Sequence, residues 1–183
     1  MKQFNAKAMI LFFTLSMALF TADIEAKNNA LDTSDTFHIY LVRHAEKDTE
    51  GYPNSKNPPL TKCGNTRAER LASMLANTAI QTIYSTEYLR TQRTAAPTGD
   101  KQNLPITSYN PRELTAFANT LLQKQETVLV VGHSNTTDKL ASILSGQKVS
   151  QIDESEYDHL FIVSRFGKKA SLQRLQQGFV CDE

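Results

Sequence analysis

The chain has 183 residues, with 20 Lys plus Arg against 19 Asp plus Glu and a formal charge of +1. That balance excludes a broad electrostatic footprint for nucleic acid or an anionic membrane, so any anion must be held by a few placed residues. The length suits one compact domain, and part of the 40% hydrophobic content lies in a single N-terminal block.

That block comprises residues 1–26. Lys2 and Lys7 precede an uncharged run from Ala8 to Ala22, which the polar stretch from Asp23 follows. The layout predicts a secretory signal peptide, because the run is shorter than the roughly 20 residues needed to cross a bilayer as a helix. Cleavage is placed after Ala26, although Ile24 stands where a small residue is usual. Removing 26 of the 183 residues leaves 157 and takes away Lys2, Lys7, Asp23 and Glu25, so the net charge stays at +1. A periplasmic or secreted protein with no stable membrane anchor is expected. In that oxidising compartment Cys63 and Cys181 either pair or stay as two free thiols, and the sequence leaves both open.

From Thr36 onward, strand-like and helix-like segments alternate. Phe37 to Val42 reads as a buried strand that ends abruptly at Arg43-His44. After a loop rich in Asp, Gly, Pro and Asn, Thr61 is placed as the N-cap of a helix carrying Ala68, Leu71, Ala72, Met74 and Leu75. Ile80 to Tyr84 is the next strand, and Ser85 or Thr86 caps a helix from Glu87 to Ala95. Pro105 to Tyr109 is a short strand, and Pro111 opens a helix through Leu122. Thr127 to Val131 is the clearest core strand. A helix from Thr136 to Leu144 closes at Gly146, and Leu160–Ser164 with Ser171–Leu175 forms a hairpin turning at Gly167. This alternation predicts an α/β three-layer sandwich over residues 36–183, with a mostly parallel central sheet flanked by helices and ligands bound outside the carboxyl ends of the strands.

Two core strands end alike, Val42 passing to Arg43-His44-Ala45-Glu46-Lys47 and Val131 to Gly132-His133-Ser134-Asn135-Thr136. A third strand end carries Ser85 to Thr91 and puts Arg90 on the following helix. Two His and two Arg therefore converge. A pair of guanidinium groups is a natural clamp for a phosphate dianion, and their charge keeps the His44 ring neutral and nucleophilic. One ring nitrogen then attacks phosphorus while the other donates to a backbone carbonyl. His133 binds a phosphoryl oxygen, and Ser134 and Asn135 stand beside the substrate, Asn135 also as a candidate cap of the next helix. His38 and His159 default to structural roles, on a strand and in a polar loop. No two His fall at short ligand spacing, so neither a metal nor a cofactor is expected.

The segment Leu41-Val42-Arg43-His44-Ala45 resembles the signature of the histidine phosphatase superfamily, whose fold is called phosphoglycerate mutase-like. Leu60-Thr61-Lys62-Cys63-Gly64 resembles the family's helix start, Ser85 with Arg90-Thr91 and Thr94-Ala95 its second block, and Val130-Val131-Gly132-His133-Ser134 its second-histidine block. The resemblance implies that His44 is transiently phosphorylated, that Arg43, Arg90 and His133 hold the phosphate, and that no metal takes part. It also implies a carboxylic acid that protonates the leaving oxygen. Asp100, Glu113 and Glu126 are the carboxylates between Arg90 and His133, and Glu113 is the best placed. The expected function is an exported phosphatase acting on small phosphomonoesters, with an envelope saccharide phosphate as one candidate. A mutase-like phosphotransferase, a phosphohistidine protein phosphatase and an inactive phosphate-binding module are the alternatives.

Overall fold

The computed structural model describes residues 36–181; the predicted signal peptide lies outside the described residues. In chain order the elements are β1 (Thr36–Arg43), α1 (Lys62–Met74), β2 (Thr82–Ser85), α2 (Leu89–Gln102), β3 (Ile106–Ser108), α3 (Leu114–Lys124), β4 (Val128–Gly132), α4 (Ser134–Ser145), β5 (His159–Phe166) and β6 (Lys169–Gln176). The six strands form one sheet in the order β3-β2-β4-β1-β5-β6. The four central and early strands pair in parallel, while β5 and β6 run antiparallel as the expected hairpin.

Alternation along the strands sends side chains to two cores. Ile39, Leu41, Val128 and Val130 pack under α3 and α4 with Phe117, Leu121, Leu140 and Leu144. Val42, Leu129 and Val131 face the other way and pack with Leu71, Leu75 and Ala95 of α1 and α2. The three-layer sandwich expected from the sequence is therefore present. Strands buried on both faces read as near-continuous apolar runs, which is why Val128–Gly132 was so legible.

Caps follow the local chemistry. The Thr61 side chain accepts the Gly64 N–H at 2.9 Å and so starts α1. Gly146 ends α4 with φ of 71°, a left-handed cap that favours glycine. Two elements differ from expectation. Helix α2 starts at Leu89 after Tyr88, not at Glu87 under a Ser85 or Thr86 cap, because those hydroxyls are engaged by the Thr86 carbonyl and by Thr91 and His133. It runs to Gln102, past Pro97, because Thr98 and Gly99 are buried and packing outweighs one missing N–H. Helix α3 begins at Leu114 instead of Pro111, after a turn held by Asn110.

Cys63 in α1 and Cys181 form a disulfide with a Cα separation of 5.8 Å across a sequence separation of 118. Closing a loop of that length contributes about 2–4 kcal/mol to stability. The bond also brings the C-terminal segment beside Arg67, whose Nη1 donates to the Phe179 carbonyl at 3.2 Å.

Candidate active site

The carboxyl ends of β1 and β4 are adjacent in the sheet, with Arg43 in register with Gly132. The His44 N–H donates to the Gly132 carbonyl at 2.9 Å, so the two histidine-bearing turns are held side by side. A side chain at Gly132 would come within 2.8 Å of the Tyr109 hydroxyl and 2.9 Å of Thr136 Oγ1, which explains glycine at this crossing. The His44 and His133 rings meet edge to face at 5.4 Å.

His44 is buried, and its Nδ1–H donates to the Ala45 carbonyl at 2.8 Å, which leaves the Nε2 lone pair free. Burial pushes its pKa down to about 3, with the Ala45 carbonyl opposing and the charges of Arg43, Arg90 and His133 adding to the fall. The ring is therefore neutral throughout the physiological range, with Nε2 open to the cavity side of the loop. His133 is lowered to about 4, first by burial and then by Arg90 and Arg43. Its Nε2 lies 3.0 Å from Thr86 Oγ1 and its Nδ1 3.5 Å from Arg90 Nη2. Since a guanidinium only donates, this network assigns the His133 proton to Nε2.

Arg90 sits on the first turn of α2. The Thr94 hydroxyl donates to the Arg90 carbonyl at 2.8 Å and accepts the Ala45 N–H at 2.9 Å, so one side chain ties the Arg90 turn to the His44 loop. The Thr91 hydroxyl lies 2.8 Å from Thr86 Oγ1, which in turn contacts His133. The threonines of the second block thus position the site.

Arg43 is held by a segment that carried no motif. Its Nη1 donates to the carbonyls of Asp153, Glu154 and Glu156 at 3.0, 2.8 and 3.0 Å, and its guanidinium stacks 4.1 Å from the Tyr157 ring centroid. Its Nη2 donates to Glu154 Oε2 at 2.8 Å, and the other Glu154 oxygen accepts from the Ser134 hydroxyl. The Ser134 bond, with Arg43 and Lys47, holds the Glu154 carboxyl below the usual range against the opposing effect of desolvation. Glu46 does not pair with Arg43. It takes Arg67 Nε at 2.9 and 3.0 Å.

Both Arg43 and Arg90 keep a buried Nε–H without a partner. Leaving buried donors unpaired is costly, so these two N–H groups are open to an acceptor. The cavity there, about 400 Å³, is lined by His44, Arg90, His133, Ser134 and Asn135 together with Lys47, Tyr88, Arg112 and Glu154. The sequence-derived residues His44, Arg90, His133, Ser134 and Asn135 are therefore brought together, with Arg43 behind them.

Glu113 is not among the lining residues. It caps α3 and lines neighbouring cavities, while Arg112 is the residue of this turn that lines the His44 cavity. The carboxylate in the cavity is Glu154. Asn135 is not the helix cap either: His133 is, with its N–H donating to Thr136 Oγ1 at 2.9 Å. His159 lies buried in β5 and not in a loop, with Nε2 2.8 Å from Arg174 Nη2. Among the described residues, Glu46, Cys63 and Cys181 are the one group of metal-type ligands within reach of one another, and the disulfide consumes both sulfurs.

No helix of the described residues is long and apolar enough to cross a membrane. No curated protein sequence matches the chain. Among solved structures, the alpha-ribazole phosphatase from Shigella flexneri is similar at 17% identity and a TM-score of 0.61, over 80% of this chain and 100% of that one. The protein histidine phosphatase SixA complexed with tungstate is similar at 17% identity and a TM-score of 0.63, over 77% and 97%. A mycobacterial glucosyl-3-phosphoglycerate phosphatase follows at 13% identity and 0.60, over 75% and 97%. These likenesses establish the fold. Residues 39–111, from β1 through the His44 loop and Arg90 to the turn before Arg112, match the family model for the histidine phosphatase superfamily, branch 1. Over that segment the chain is similar to the histidine phosphatase superfamily, and its fold is the one these three phosphatases share.

Proposed function

We propose that this protein is an exported phosphatase that hydrolyses phosphomonoesters through a phosphohistidine on His44, without a metal. The observation that carries the reading is the pair of orphaned Nε–H donors on Arg43 and Arg90, beside a buried neutral imidazole with a free Nε2. Export is supported by the layout of residues 1–26 and by the Cys63–Cys181 disulfide, a bond that persists in oxidising compartments.

In the first step the His44 Nε2 lone pair forms a bond to phosphorus and the P–O ester bond breaks, its electron pair going to the leaving oxygen. Arg43 and Arg90 stabilise the charge on the phosphoryl oxygens, the part a metal plays in other phosphatases, and His133 joins them as the bound dianion draws Arg90 off Nδ1 and favours a proton there. The leaving oxygen needs a proton, and Glu154 is the carboxyl at hand. In the free protein Glu154 is ionised. A phosphate entering the cavity competes for Arg43 and Ser134 and sets a second negative charge beside the carboxylate, which favours its protonated form. In the second step water attacks phosphorus, gives its proton to Glu154, and His44 departs neutral. Structural relatives named as an alpha-ribazole phosphatase and a glucosyl-3-phosphoglycerate phosphatase share this fold, which is in keeping with a small phosphorylated substrate.

The test is hydrolysis of phenyl phosphate by the purified protein with and without a strong chelator. Equal turnover in both is expected. Absence of turnover on phenyl phosphate would overturn the phosphatase reading, and loss on chelation would overturn its metal-free form.

A further inference from the structure

We infer that the substrate carries a second anionic group, held beside the scissile phosphate by Arg112 with help from Lys47 and Lys139. This narrows the substrate class of the proposed phosphatase and rests on that reading.

Arg112 stands on a stiff platform. Pro111 fixes its own backbone φ, the Arg112 N–H donates to Asn110 Oδ1 at 3.1 Å, and the Glu113 N–H donates to the Asn110 carbonyl at 3.2 Å. From this turn Arg112 lines the His44 cavity and two neighbours. The larger neighbour, about 770 Å³, also carries Lys139 and shares Pro111, Arg112, Asn135 and Thr136 with the His44 cavity. The two spaces therefore adjoin at Arg112 and Asn135, and Arg112 stands within reach of the part of a substrate that projects from a phosphate seated on His44.

The charges around these two adjoining cavities exceed what one phosphate needs. Lys47, Arg90, Arg112 and Lys139 line them, against two carboxylates, Glu113 and Glu154. Glu154 is engaged by Arg43 and Ser134, and Arg90 belongs to the phosphate clamp. Among the described residues Lys47, Arg112 and Lys139 pair with no carboxylate. Three cations are left with Glu113 as the one opposing charge. A cleft lined mainly by one sign concentrates ligands of the other sign, and a guanidinium meets a carboxylate or a phosphate with two parallel hydrogen bonds. A neutral sugar or aryl body would leave this charge unused. The first turn of α3, which lines the larger cavity, adds its positive end to a field that the side chains already set.

The experiment compares three phosphoesters on one six-carbon frame: glucose 6-phosphate, 6-phosphogluconate with an added carboxylate, and glucose 1,6-bisphosphate with a second phosphate. Wild-type kcat/KM is expected to favour at least one of the two acidic compounds by about tenfold, mainly through KM, and the preferred compound identifies the second group. The preference should shrink in high salt. Arg112→Glu combined with Lys139→Glu should abolish or invert it. Equal kcat/KM for all three compounds, or a preference that survives the double substitution, overturns the inference. Failure of the phosphatase reading shows separately, as no wild-type turnover of phenyl phosphate.

Discussion

His44→Ala is expected to lower kcat on phenyl phosphate by about a thousandfold or more while changing KM far less, because it deletes the atom that bonds to phosphorus and spares the groups that hold it. Arg43 keeps its three loop carbonyls and Tyr157, and Arg90 keeps its place on α2, in the absence of the imidazole. Tungstate binding, read by calorimetry, should therefore persist in the variant. A variant that retains turnover within tenfold of wild type would remove His44 as the nucleophile, and one that loses both turnover and tungstate binding would make it a structural residue.

The second large effect concerns the leaving oxygen. Glu154→Gln is expected to lower kcat/KM on an alkyl ester such as glucose 6-phosphate by about a hundredfold or more, and on 4-nitrophenyl phosphate far less, because nitrophenolate leaves without a proton. The reason is geometric. Glu154 lines the His44 cavity with one oxygen on Arg43 and the other on Ser134, whereas Glu113 faces the neighbouring spaces. Glu113→Gln should leave the dependence on leaving group as in wild type. An equal loss on both esters in Glu154→Gln would make Glu154 a support for Arg43. A gain on both would make it a competitor for the phosphate place.

Much of this site was legible because its chemistry is local in sequence. His44 and His133 each follow a run of apolar residues that only a twice-covered strand requires, and adjacent parallel strands bring such ends together. Arg90 follows β2 by the same logic. What stayed hidden is carried by segments without periodicity. The loop from Asp153 to Tyr157 grips Arg43 mostly through backbone carbonyls, which any sequence possesses, so no residue pattern announces it. Glu154 is invisible in the sequence because its partner is 111 residues away and it lies beyond His133, outside the Arg90–His133 interval that the family resemblance implies for the acid. Arg112 carries no sequence signal of its own, because its place beside the cavity depends on a turn that ends one residue before the cap of α3. Pro97 inside α2 shows the same limit from the other side: a local breaker yields where Thr98 and Gly99 are buried. The disulfide was undecided for want of any signal linking Cys63 to a segment 118 residues on.

The central claim is that phosphorus passes through His44. The direct measurement is rapid quenching during turnover of a 32P-labelled phosphoester, followed by mapping of the labelled peptide. An acid-labile, base-stable phosphoryl group on His44, forming and decaying at rates compatible with kcat, is the predicted result. Turnover without labelled protein, or label on His133 in place of His44, would contradict it.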